Sequence, residues 1–234
     1  MRICFVTAGR LSDFRQTMQM EMQTSQGEID GKKEDVIADL FLFGFGGMGE
    51  VSYEKELKGE TKTFEDAAFL SKENKAVVIC GCVTDTRGHK RKSAVIAENG
   101  RLKGVSDMLN VVDGEVCCGA ALRIYETRLG KIGVIVAEDI HFPDVVKSLA
   151  ICGCDFIVCT FGKMFDCLQS VLLRANAFCY GVPILFCAEG YCMIADVSGN
   201  IAFASPNSPV YIDFENVHEY HLIETRRRGF YRCT

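Results

Sequence analysis

Short apolar runs recur along the chain, and most are unbroken rather than alternating. They read RICFVTA (2–8), DLFLFG (39–44), AVVICGCV (76–83), KSAVIAE (92–98), AALRIYE (120–126) and KIGVIVA (131–137) in the first part. DFIVCTF (155–161), PILFCAE (183–189), YCMIADV (191–197), NIAFAS (200–205) and PVYIDF (209–214) follow. Several of these runs suit strands buried on both faces, where neither side of the pleat meets water. Between them the spacing of apolar residues predicts helices over about 12–25, 63–74, 143–152 and 163–180. The last places Met164, Leu168, Val171, Leu172, Ala175, Phe178 and Cys179 at i, i+3, i+4 intervals, with Gly181 suited to end it. Helix 143–152 opens at Pro143, a favoured first helical residue, and stops at Gly153. Beyond residue 183 the helical pattern disappears, and turns at Ser198-Gly199-Asn200 and Pro206-Asn207-Ser208 predict hairpins. This order of elements predicts a single α/β domain over residues 1–234, with strands more numerous and more locally paired than in a simple doubly wound sheet.

Charge and cysteine usage narrow the function classes. A net charge of −5 offers no basic face, so a nucleic-acid partner is not expected. The one basic run, Arg226–Arg228, reads as a solvated strand end. No apolar run approaches the roughly 18 residues of a membrane span, and the opening RICFVTA is too short for a secretory leader. Several cysteines fall inside strand patterns (Cys4, Cys80, Cys82, Cys159, Cys187), where a free thiol acts as a small hydrophobe; this points to a reducing cytoplasm.

Two motifs invite chemistry. GFGGMG (Gly44–Gly49) satisfies G-x-G-x-x-G after a strand, the pattern of a dinucleotide site. The acidic residue expected about 20 residues on is missing, and the segment after Gly49 is highly charged, so a flexible glycine loop is the plainer reading. The pairs Cys80/Cys82 and Cys152/Cys154 have strand-like C-x-C spacing, unlike a zinc set, and His218/His221 lack partner ligands. No metal and no cofactor are expected.

The stretch GKIGVIVAEDIHFPDVVKSLAICGCDFIVCTF (130–161) is more specific. It resembles the segment around the catalytic cysteine of the nitrilase, or carbon–nitrogen hydrolase, superfamily: Gly130, Lys131, Gly133, Asp139, Phe142, Pro143, Gly153 and Asp155 fall in that family's pattern. Upstream, KAVVICGCVTD and KSAVIAENGRLKG resemble its glycine-ended strand and hairpin. Downstream, RANAFCYGVPILFCAEG and MIADVSGNIAF resemble its Arg-Ala helix, buried strand and Asp-x-x-Gly turn. The resemblance is specific over residues 65–234 and rests only on element order before that. It implies a four-layer α-β-β-α sandwich, commonly dimerising through helices that follow the nucleophile strand.

The resemblance also implies a triad: a cysteine thiolate that attacks, a glutamate that moves the proton and a lysine that stabilises developing negative charge. The matching positions here read Ala137, Phe45 and Met108. Where the family has a second arginine and a glutamate after Arg174, this chain has Asn176 and Cys179. Losses at three separate places read as a natural non-catalytic member that binds a small molecule or a protein partner. If chemistry has moved, Cys159 with Glu50 or Glu138 is the candidate set, with Thr160 and Asp139 beside it; Asp139 is expected to cap the helix at Pro143, and Glu138 to be the polar contact for a ligand. Three readings therefore stand open: a binding module, an amidase-type carbon–nitrogen hydrolase using a relocated cysteine or inactivated by substitution, and a nucleotide-binding protein using Gly44–Gly49.

Overall fold

The computed structural model describes residues 1–25, 37–111, 114, 116–164 and 167–216. His218, His221 and Arg226–Arg228 lie outside them. In chain order the elements are β1 (Arg2–Val6), α1 (Leu11–Ser25), β2 (Leu40–Phe43), β3 (Glu50–Ser52), α2 (Tyr53–Leu57), α3 (Thr63–Glu73), β4 (Val77–Thr86), β5 (His89–Glu98) and β6 (Arg101–Asp107). Then come β7 (Ile124–Thr127), β8 (Gly130–Val136), a 3₁₀ turn (Ala137–His141), α4 (Pro143–Ile151), β9 (Phe156–Lys163) and α5 (Leu168–Tyr180). The strands β10 (Ile184–Glu189), β11 (Tyr191–Ala195), β12 (Ile201–Ser205) and β13 (Val210–Asp213) complete the described chain.

The strands form two sheets. The first runs β13-β1-β2-β4-β5-β6, with β3 paired to β4; the second runs β12-β11-β10-β9-β8-β7. Each has a parallel centre (β1, β2 and β4; β8, β9 and β10) and antiparallel flanks. Alternation sends one set of side chains inward: Ile3, Phe5, Leu40, Leu42, Ile79 and Ile96 meet Ile132, Val134, Phe156, Val158 and Leu185 of the opposite sheet. The other set faces helices. Leu11, Met18, Ala67 and Leu70 of α1 and α3 cover the first sheet, and Val145, Val146, Leu149, Leu173 and Ala177 of α4 and α5 cover the second. This is the four-layer α-β-β-α sandwich, and it explains why so many strands are apolar on both faces.

Most turns behave as their residues require. Asn99 and Gly100 both take positive φ between β5 and β6, as a two-residue hairpin turn requires. Asp196 Oδ1 accepts from Ser198 N and Asn200 N, closing the turn from β11 to β12. Gly181 ends α5 in the left-handed region.

Three expectations need correction. Pro206-Asn207-Ser208 does not join a hairpin, because β12 pairs with β11 while β13 crosses to the other sheet and pairs with β1. The helix expected from 163 starts only at Leu168, since β9 continues to Lys163. The buried face of α5 is Gln169, Leu173, Asn176 and Ala177, while Leu168, Val171 and Phe178 of the expected apolar stripe are exposed. Sequence spacing located an apolar face but not which face the sheet would take.

The parallel strands of both sheets finish at one end of the sandwich, where the sheets are tied by backbone bonds: Phe45 N to Phe161 O at 2.9 Å, and Gly190 N to Thr7 O at 2.9 Å. The Gly44–Gly49 loop packs there against β4. A Cβ on Gly81 would lie 2.6 Å from Phe45 Cα, and one on Gly47 would lie 2.5 Å from Cys80 Sγ. Gly81 is small because backbone passes over it, and Gly47 because the Cys80 and Phe43 side chains press on it. Gly81→Ala is therefore expected to lower stability by about 1–3 kcal/mol, since a main-chain atom must move, and urea denaturation measures it.

Candidate functional site

The site is built from three strand ends at this end of the sandwich. β2 leads to Phe45, β6 to Met108 and β8 to Ala137. All three side chains join the apolar layer between the sheets; Met108 and Ala137 are buried and Phe45 is partly buried. Ala137 has φ +49°. An L-residue with a side chain is rarely held in this region, at a cost on the order of 1–3 kcal/mol, so the sharp turn from β8 into the 3₁₀ segment is strained at this residue. Its methyl offers no nucleophile.

The two carboxylates that follow have different partners. Lys92 Nζ donates to Glu138 Oε1 at 2.8 Å and to Oε2 at 2.9 Å, and both side chains are largely buried. The pair links β5 of one sheet to the turn after β8 of the other. Asp139 is turned away and clamps the chain after β6: Oδ2 accepts from Leu109 N at 2.8 Å, and Oδ1 from Asn110 N at 2.8 Å and Asn110 Nδ2 at 2.9 Å. It does not cap α4, whose start at Phe142 has no side-chain cap bond. Burial pushes the Asp139 carboxyl above its ordinary value, against the pull of those three hydrogen bonds, and the neighbouring Glu138 pushes the same way.

Of the remaining candidates, the structure brings only Thr160 to the inner layer. Thr160 pairs in register with Val136 and Cys187, and its buried hydroxyl has no hydrogen-bond partner. Cys159, one residue earlier, faces the other way, among Ile157, Phe161, Leu173 and Ala177 under α5. Full burial raises its thiol well above the ordinary value, reinforced by Asp139 and Glu138. Glu50 sits on β3, half-exposed, and pairs with Lys90 at 2.9 Å. Cys159, Glu50 and Glu138 do not form one constellation.

Lys92 is the residue that sequence reasoning missed. The spacing past Gly100 leads to Met108, whereas Lys92 arrives from the neighbouring strand β5. The signal was in KSAVIA: Lys92, Ala94 and Ile96 share one face of β5, and Ala94 and Ile96 lie in the inner core. The Gly44–Gly49 loop likewise leads into β3, a three-residue strand, and not into a helix whose N-terminus could face a pyrophosphate. Among the described residues no group of three or more His, Cys, Asp or Glu could hold a metal ion, and no helix is long and apolar enough to cross a membrane.

Two stacked sheets with helices outside, and a strained turn after β8, define a nitrilase-type sandwich. The carbon-nitrogen hydrolase family model matches residues 36–213, well over half of the chain, so the chain belongs to that family. A probable nitrilase of Schizosaccharomyces pombe is 30% identical over an alignment of 141 residues that covers 56% of this chain and 51% of that protein; the chain thus spans about half the length of the curated relative it matches. The crystal structure of an amidase from Nesterenkonia sp. superposes with TM-score 0.71 at 13% identity, over 97% of this chain and 95% of that one. Saccharomyces cerevisiae Nit3, a member of branch 10 of the nitrilase superfamily, gives 0.68 at 13% identity, over 90% and 88%. At such identities these two likenesses show the fold alone.

The Asp139 clamp can be tested directly. Asp139→Asn keeps one acceptor oxygen and turns the other into a donor, so a backbone amide at Leu109 or Asn110 loses its partner. The expected loss is about 1–3 kcal/mol of stability at neutral pH, read by urea denaturation. Because its folded pKa is raised above 3.8, wild-type Asp139 binds a proton more readily folded than unfolded. Its contribution therefore falls as pH rises through that window and does not drive acid unfolding.

Proposed function

We propose that this chain keeps the carbon–nitrogen hydrolase frame without the family's hydrolysis of amides or nitriles, and serves as a binding module for a small molecule or a protein. The observation that carries this reading is Ala137: the strained turn that would present a nucleophile presents a methyl group. Read with the sequence resemblance, Phe45 and Met108 stand in for the glutamate and lysine of the triad, and both add to apolar packing. The neighbouring carboxylate, Glu138, is engaged by Lys92.

A relocated cysteine finds little support. Cys80, Cys159 and Cys187 are fully buried and their thiols are pushed far up by desolvation, the opposite of what an attacking thiolate needs. The twelve described cysteines are free thiols, which favours a reducing, cytoplasmic setting. Self-association is part of the proposal. Ile151 of α4 and Leu168, Val171 and Phe178 of α5 leave apolar side chains on the outer layer, 44–61% exposed, and a second copy offers the matching face.

The direct test is incubation with short aliphatic amides and nitriles while ammonia release is followed. No release above the buffer blank is expected, and turnover that survives repurification would end the reading. In parallel, a slow alkylator at about pH 6 with peptide mapping should leave Cys159 and Cys187 unlabelled, because desolvated thiols hold their protons. For the partner, Val171→Asp combined with Phe178→Asp is expected to shift a dimer to monomer in light scattering; an unchanged mass would place the contact elsewhere.

A further inference from the structure

A second cavity lies beside the inter-sheet site. It occupies about 340 Å³ where β1, β2 and β10 end, and half of its lining residues are glycines: Gly9, Gly44, Gly46, Gly47 and Gly190. A wall without side chains exposes peptide groups. The amides of Gly9 and Gly46 donate to no described residue. The volume is that of a small-molecule site.

Among the described residues, two charged side chains line this cavity, Arg10 and Glu189. Elsewhere the chain pairs charges readily: Arg15 with Asp66 and Glu73, Lys90 with Glu50, Arg128 with Asp39. Neither Arg10 nor Glu189 has an ion-pair or hydrogen-bond partner for its side chain among the described residues. Glu189 is also held close to the glycine loop, since a Cβ on Gly46 would lie 3.0 Å from its Oε1.

The walls are fixed from both ends of the chain. Thr7 Oγ1 donates to Asn207 O, Ala8 N donates to Ser208 Oγ at 3.0 Å, and Leu11 N donates to Gly47 O at 2.8 Å. A cavity whose backbone is held in this way needs little reordering to bind. Its two charges are opposite in sign, and the rest of its lining is glycine backbone with the short side chains of Val6, Thr7 and Ala8.

From this arrangement we infer that the cleft binds a small zwitterion of the amino-acid class, its carboxylate on the Arg10 guanidinium and its ammonium group on the Glu189 carboxylate. A guanidinium fork suits a carboxylate, and the paired geometry rejects molecules that carry one charge alone. A pyrophosphate is disfavoured because the Glu189 carboxylate overlies the glycine loop that would have to cradle it. The inference rests on the binding-module reading only in taking the ligand to be a small molecule. Turnover of an amide would end that reading yet leave this cleft to be judged by titration.

The experiment is calorimetric titration of the full chain with glycine, β-alanine and γ-aminobutyrate, a series that lengthens the separation between charges. Acetate, methylammonium and inorganic pyrophosphate are the comparison probes. At least one zwitterion is expected to bind about tenfold or more tightly than acetate or methylammonium, and more tightly than pyrophosphate. Arg10→Met and Glu189→Gln are each expected to weaken it about tenfold or more, and Gly46→Ala, which displaces the Glu189 carboxylate, to weaken it as well. Circular dichroism melts identify any variant that fails to fold, and both charged residues are exposed enough for folded variants to be expected. Three outcomes overturn the inference: no zwitterion binds above the single-charge probes, pyrophosphate binds best, or binding survives the loss of both Arg10 and Glu189.

Discussion

Everything in this molecule depends on the burial of one sheet face against another. Ile3, Phe5, Leu42, Ile79 and Ile96 on one side and Ile132, Val134, Phe156 and Leu185 on the other form a single apolar layer, and each is removed from water. At about 25 cal/mol per Å² of apolar surface, such a layer dominates the favourable side of folding. It demands strands that are apolar on both faces, because each sheet also carries helices. The register of every strand follows from that demand, since a slip of one residue would turn an inner set of side chains toward the helices.

The same constraint shapes the candidate site. A pocket between two sheets exists only where side chains stop short of meeting. Phe45, Met108 and Ala137 come together at the end of the sandwich where reactive groups would be placed, and they join the apolar layer. Three nearby polar side chains serve the structure. Lys92 and Glu138 bridge the two sheets, and Asp139 holds the chain after β6. The strain at Ala137 is sustained because the turn is over-determined by β8 on one side and the 3₁₀ segment on the other.

Much of the fold was legible in the chain. Unbroken apolar runs located most strands, Pro143, Gly153 and Gly181 marked helix ends, and the GKIGVIVAEDIHFP stretch carried the family resemblance. β3 and α2 were not read because α2 buries no residue and β3 is three residues long, too short to show a period. The faces of α5 were misread because apolar spacing looks the same whether a stripe meets the sheet or the solvent. Polar Gln169 and Asn176 face inward there, while Val171 and Phe178 face out.

The candidate site divides along the same line. Local sequence determined that Ala137 follows a buried strand, that two carboxylates come next and that glycines crowd the 44–49 loop, since each is a matter of residue type and near neighbours. Only the tertiary structure decided that Glu138 meets Lys92, that Cys159 turns toward the helices while Thr160 turns inward, and that Arg10 and Glu189 share a cleft. The physical reason is separation along the chain. These partners stand 46 residues apart in one case and come from β1 and β10 ends in another, and strand pairing alone sets which face meets which.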